Sequence, residues 1–99
     1  MRQIIILETH EYSSWLEEQT TKNRSIIDSR ILRIEEESYF GDHKYLGDNI
    51  FELRWKNGRR IYFSKFENRE ILLLLGGLKN AQKKDIKKAK YLFRRYAFG

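Results

Sequence analysis

Cations set on strand-like segments are the chemistry this chain offers. In "IFELRW" (50–55), Ile50, Glu52 and Arg54 share one face of an extended strand, and Phe51, Leu53 and Trp55 share the other. Arg59 and Arg60 open the next strand-like segment, "RIYFSKF" at 60–66, just after a "KNG" turn at 56–58. Neighbours on a strand point oppositely, so only one of these two arginines can join Arg54. Lys79 stands just beyond the apolar run that ends at Gly76 and Gly77. Hairpin pairing and an adjacent central strand can gather Arg54, Arg60 and Lys79 into a cationic pocket on a rigid sheet. The competing reading is a set of ordinary surface charges, some paired with Glu52 or Asp85.

Such a pocket suits a phosphate. It can hold a nucleic-acid backbone, or it can cleave RNA. In cleavage the ribose 2′-hydroxyl attacks the adjacent phosphorus, and lysine and arginine stabilise the charge that develops on phosphate oxygens and leaving group. A proton acceptor is still required. His10 and His43 lie near element ends and read as surface residues, so a lysine of lowered pKa or Asp85 would serve. The glycine pair reads as a turn that delivers a helix N-terminus, whose free N–H groups favour an anion. No Ser/His/Asp spacing and no glycine-rich phosphate loop competes with this reading.

Charge segregation supports a polyanion. Residues 1–49 hold six Lys/Arg against ten Asp/Glu (net −4), whereas residues 50–99 hold fourteen against four (net +10). The 99 residues are one domain's worth of chain, 1–99. Cysteine and proline are absent. No disulfide framework or cysteine metal site is available, which fits a reducing cytoplasm. The opening apolar run is too short for a signal peptide, and no stretch approaches the roughly 20 apolar residues of a spanning helix. A cytoplasmic protein that needs no cofactor, no metal and no membrane is expected.

The elements that must position these residues follow from periodicity. "QIIIL" (3–7) reads as a buried strand, and Thr9 can cap a first helix. A second helix runs roughly over 22–37, with Ile27, Ile31 and Ile34 as its stripe, Ile26 and Leu32 widening it, and an Arg33–Glu37 pair on its surface. Residues 38–49 read as a loop. Strands at 50–55, 60–66 and 70–75 follow. The last, "EILLLL", is apolar on both faces and belongs in the sheet interior. A final helix over 80–96 buries Ile86, Ala89, Phe93 and Tyr96 and exposes Lys83, Lys87, Lys90 and Arg94. The order is β-α-α-β-β-β-α: an α+β fold with an N-terminal helical hairpin and a C-terminal helix on a mainly antiparallel sheet.

Three segments carry a resemblance. Leu46-Gly47 with Glu52-Leu53-Arg54, Arg60-Ile61-Tyr62-Phe63, and the run from Leu73 to Ala89 resemble, in this order, the RelE/ParE superfamily of bacterial toxins. The likeness is to its HigB-like, phage-derived "addiction module killer" branch and covers about residues 45–90. It implies the RelE-like fold and a toxin of a type II toxin–antitoxin system, acting as a ribosome-dependent mRNA endoribonuclease. Carried over, Arg54, Arg60, Lys79 and Asp85 fall on catalytic positions. Lys56, Arg59, Gln82, Lys83, Lys84 and Lys87 are expected to bind RNA around them, Gln82 as part of the branch's motif. The implied partners are a cognate helix-turn-helix, HigA-like antitoxin, the ribosome and mRNA, and operator DNA through the antitoxin complex. The chain departs from the branch at a shortened 56–59 turn, at Arg59 in place of an aromatic, at Leu75 in place of a common Cys, and at Leu78. Trp55 could supply the missing aromatic platform. A ParE-like gyrase inhibitor, resting on the acidic helical hairpin, and a non-catalytic module that binds nucleic acid or antitoxin are the alternatives.

Overall fold

The computed structural model describes residues 3–99. The elements are β1 (Ile5–Glu8), α1 (His10–Glu17), α2 (Thr21–Glu37), β2 (His43–Gly47), β3 (Ile50–Arg54), β4 (Arg59–Phe66), β5 (Glu70–Leu78), a 3₁₀ turn (Lys79–Ala81) and α3 (Gln82–Phe98). Both N-terminal helices start on a threonine cap. The Thr9 and Thr20 hydroxyl oxygens accept from the N–H of Tyr12 and Asn23. The Thr9 hydroxyl also donates to the Leu74 carbonyl at 2.7 Å, which fixes the start of α1 over β5.

The five strands run in the order β1-β5-β4-β3-β2. β1 lies parallel to β5, and the other three pairings are antiparallel. Helices cover both faces. Tyr12, Ile27, Ile34, Leu53, Ile61, Phe63 and Leu73 pack on the α1–α2 side. Ile50, Tyr62, Leu72, Leu74, Leu75, Ala89 and Leu92 pack on the α3 side. β5 is therefore apolar on both faces, as expected of an interior strand. Its register slips opposite Tyr62/Phe63, which pair with Leu75 and Leu73 and skip Leu74. The bulge turns Leu74 and Leu75 toward the same layer.

Five expectations are corrected. β1 is an edge strand with Ile5 and Leu7 exposed, not a buried one. Residues 38–49 are not all loop, because His43–Gly47 form an edge strand paired with β3. The strand joins β3 through Asp48 and Asn49, both at positive φ (52° and 61°), in a two-residue hairpin turn. Gly76 and Gly77 are not a turn but lie inside β5, opposite Ile61 and Arg60. Ile26 and Leu32 are exposed rather than part of the α2 stripe. In α3 the buried positions are Ala89 and Leu92, Ile86 and Phe93 pack partly buried beside them, and Tyr96 is exposed. The chain thus carries one strand more than the pattern predicted, and its N-terminal hairpin is unequal, with eight residues in α1 and seventeen in α2.

The glycines are there for proximity. A methyl group at Gly76 would collide with the Trp15 ring of α1, and one at Gly77 with the Asp85 carboxylate of α3. On the other side of the site, Arg30 of α2 clamps the chain around β3. Its Nε and Nη2 donate to the Phe40 carbonyl (3.1 and 2.9 Å), Nη2 to that of Asp42 (2.5 Å), and Nη1 to that of Arg54, while its plane lies 4.4 Å from the Trp55 ring.

Gly76→Ala is expected to cost about 1–3 kcal/mol by overpacking, and less when Trp15 is shortened to Leu in the same chain. Denaturant unfolding of both single variants and the double variant reads this. Losses that simply add would show that Trp15 is not the obstacle.

Candidate functional site

Register alone assembles the centre of the site. β3 and β4 set Glu52 opposite Tyr62 and Arg54 opposite Arg60, and β4 and β5 set Tyr62 opposite Leu75 and Arg60 opposite Gly77. These side chains face the start of α3. Glu52 has no exposed surface. Its Oε1 accepts from Arg54 Nε at 2.7 Å and its Oε2 from Gln82 Nε2 at 2.5 Å. A buried carboxylate is tolerable only when paired and hydrogen-bonded, and here both oxygens are used. The hydrogen bond it donates to Glu52, and then the Glu52 charge, push the Arg54 pKa up, so this arginine is a fixed cation. A third of its side chain (34 %) still reaches solvent.

Arg60 shares that face, as alternation requires, but is buried at 9 % exposure. Its Nη1 donates back to the carbonyls of Trp55 (3.2 Å) and Arg59 (3.0 Å), and its Nε has no partner. Arg59 points to the opposite face, where Nε donates to Gln19 at 2.8 Å. Tyr62 is buried with its hydroxyl unpartnered. Burial, and then the charges of Glu52 and Asp85, raise its pKa, which keeps it a neutral phenol. Asp85 lies against Gly77. Burial raises its pKa, opposed by Lys84 and Lys88.

The lysines form a separate, exposed group. Lys79 donates its backbone N–H to Gly58 at 2.7 Å and lines an open groove of 470 Å³ with Asn57, Gly58, Leu78 and Asn80. Lys83, Lys84 and Lys87 line a second groove, of 560 Å³, with Asn80 and Ala81. Lys56 is exposed on the turn between β3 and β4. The structure thus brings together Arg54, Arg60, Gln82 and Asp85, and sets Lys79, Lys83, Lys84 and Lys87 along grooves beside the 3₁₀ turn and the start of α3. Trp55 is not an open platform, because Arg30 covers it.

Two members of the cluster had no assigned role from sequence. Glu52 stood out only as a carboxylate near the basic half, and Tyr62 only as part of a strand. Both lie in the short segments that carry the family resemblance, and their placement opposite each other is the signal that unites them.

No family model matches the chain. An uncharacterized protein of Haemophilus influenzae (strain ATCC 51907 / DSM 11121 / KW20 / Rd) is 39% identical over 92 residues, covering 90% of this chain and 92% of its own. The two belong to one family. The fold is also found among solved structures. A mutant of the E. coli toxin RelE in the free state superposes with a TM-score of 0.71 at 9% identity, over 90% of this chain and 95% of that one. The toxin–antitoxin complex RelBE2 from Mycobacterium tuberculosis gives 0.64 at 11% identity, over 77% and 98%. The intact E. coli RelBE complex gives 0.65 at 9% identity, over 76% and 95%. This chain has the RelE fold. Within the RelE fold, the cluster sits where β3, β4 and β5 meet the start of α3.

Tyr62→Phe is expected to stabilise the protein by up to about 1–3 kcal/mol, because its buried hydroxyl lies near Glu52 without a well-formed hydrogen bond to it. A thermal or denaturant melt checks this. A loss of stability would mean that the hydroxyl has a bonding partner in solution.

Proposed function

We propose that this protein is the toxin of a type II toxin–antitoxin pair and cleaves mRNA on the ribosome. The observation that carries the reading is Arg54: a fixed cation on a strand, backed by a buried carboxylate and partly open to solvent, on the sheet face that meets the start of α3. The RelE fold, the HigB-like segments and the net +10 of residues 50–99 support it.

The chemistry assigns each group a task. The 2′-hydroxyl oxygen of the substrate attacks the adjacent phosphorus, a 2′,3′-cyclic phosphate forms, and the 5′-oxygen of the next nucleotide leaves. Arg54 stabilises charge on the non-bridging oxygens. Asp85 accepts the 2′-hydroxyl proton, and its raised pKa makes it a stronger base than an ordinary carboxylate. Lys79, Lys83, Lys84 and Lys87 hold the flanking RNA backbone and stabilise the leaving oxygen, with Lys56 at the rim. Arg60 is buried, so its charge acts through the field it sets at the site rather than by contact. Arg59, committed to Gln19, and Gln82, committed to Glu52, support the site instead of touching RNA. A cognate antitoxin, helix-turn-helix in this branch, would neutralise the basic surface, and the pair would bind operator DNA. The place of action is the cytoplasm.

Mapping mRNA 5′ ends shortly after induction tests the reading. New ends inside open reading frames are expected with the wild type and not with Arg54→Ala or Lys79→Ala. Arrested growth with intact mRNA would replace the ribonuclease with a gyrase inhibitor, and unimpaired growth with folded protein would leave a binding module.

The pH dependence follows from Asp85. Its folded pKa lies above the ordinary value, so the base form appears only at higher pH. Cleavage should rise with pH through a point above the ordinary aspartate value. Stability should fall over that same interval, because the folded state holds the extra proton there. Asp85→Asn should cut cleavage by about 10²–10⁴-fold and abolish that fall in stability. Single-turnover rates and melts across pH read both effects, and an unchanged rate would remove Asp85 as the base.

A further inference from the structure

We propose that Glu52 is a positioning residue for Arg54, and that Gln82 of α3 sets Glu52 in turn. The bond between Arg54 and Glu52 uses Nε alone. A side-on pair of this kind leaves both terminal amino groups of the guanidinium without a protein partner among the described residues, on a side chain that is 34 % exposed. An end-on pair would have consumed the fork that matches two phosphate oxygens.

The neighbouring arginine does not duplicate it. Arg60 is directly opposite Arg54, and like charges opposed across a ladder repel. Arg60 turns its Nη1 back to the Trp55 and Arg59 carbonyls and stays buried. Among the described residues, Glu52 pairs with Arg54 alone, and Arg60 is held by backbone carbonyls. Of the two guanidiniums only Arg54 is directed outward.

Gln82 completes the device. Without its amide, Oε2 of a fully buried carboxylate would lose the one well-formed hydrogen bond it accepts among the described residues. The orientation of Arg54 therefore depends on the first residue of α3, through a bond that spans thirty positions of sequence. A stabilising role alone would not need this construction, since well-packed apolar residues often replace a buried ion pair without loss.

The inference rests on the ribonuclease reading only for naming an RNA phosphate as the target. Side-chain ¹⁵N spectra of arginine Nε–H groups test the positioning by itself, with the Arg54 signal assigned by its absence in Arg54→Lys. In the wild type this proton should exchange slowly. In Gln82→Met, which keeps the length of the side chain but not its donor, exchange should be at least about tenfold faster. Glu52→Gln, which keeps an acceptor for Arg54, should retain most of the protection. In ribosome-dependent cleavage, Gln82→Met should lower kcat about tenfold and change KM less than about twofold, with Glu52→Gln between it and the wild type. Equal protection in Gln82→Met and wild type would overturn the proposal. So would lost protection with an unchanged kcat, or a raised KM at constant kcat. If no form cleaves RNA while the exchange pattern is as expected, the positioning stands and the ribonuclease reading falls.

Discussion

A carboxylate with no access to water constrains everything around it. Glu52 sits at zero exposure on a central strand, and burial of its charge is tolerable only because two donors meet it. One donor comes from its own strand, two residues on. The other comes from α3. The sheet and the last helix must therefore dock in one way, or a buried oxygen is left without a partner. Gly77 allows the approach, because any side chain there would displace Asp85. The presentation of Arg54, the burial of Arg60 and Tyr62, and the place of Asp85 all follow from that docking.

The opposite face holds the same strand still by other means. Arg30 gathers three backbone carbonyls, one of them Arg54's own, and stacks on Trp55. Burial lowers the Arg30 pKa, yet a guanidinium so far from neutrality remains charged and keeps all its donors. β3 is thus gripped by a guanidinium below and a carboxylate above. A site on a strand held in this manner gives more exact geometry than one on a loop, which is what phosphoryl chemistry requires of it.

Patterns with a side-chain period were legible in the sequence. The Thr9 cap, the Ile27 and Ile34 stripe, the Asn-Gly turn at 57–58 and the two-faced apolar strand β5 all carry local signals that the fold obeys. Alternation also separated Arg59 from Arg60 correctly. β2 was illegible because an edge strand with an exposed face needs no apolar alternation, and "HKYLG" ends in a glycine. The glycine pair misled for a related reason. Glycine inside a strand signals a close neighbour, and sequence does not say who the neighbour is. Gln82 and Glu52 are thirty residues apart, so their bond is a product of docking and has no periodic trace.

The glycine pair also sets the thickness of the molecule at one point. Trp15 rests on one side of β5 at Gly76, and Asp85 rests on the other side at the very next residue. Only peptide backbone separates an indole from a carboxylate there. Elsewhere two layers of side chains can absorb a helix movement by changing rotamers. Here the strand itself contributes no side chain, and only Trp15 and Asp85 have rotamers to change. The indole and the carboxylate are therefore held one strand's thickness apart, so the acidic N-terminal face and the basic one come nearest to each other at this pair of glycines.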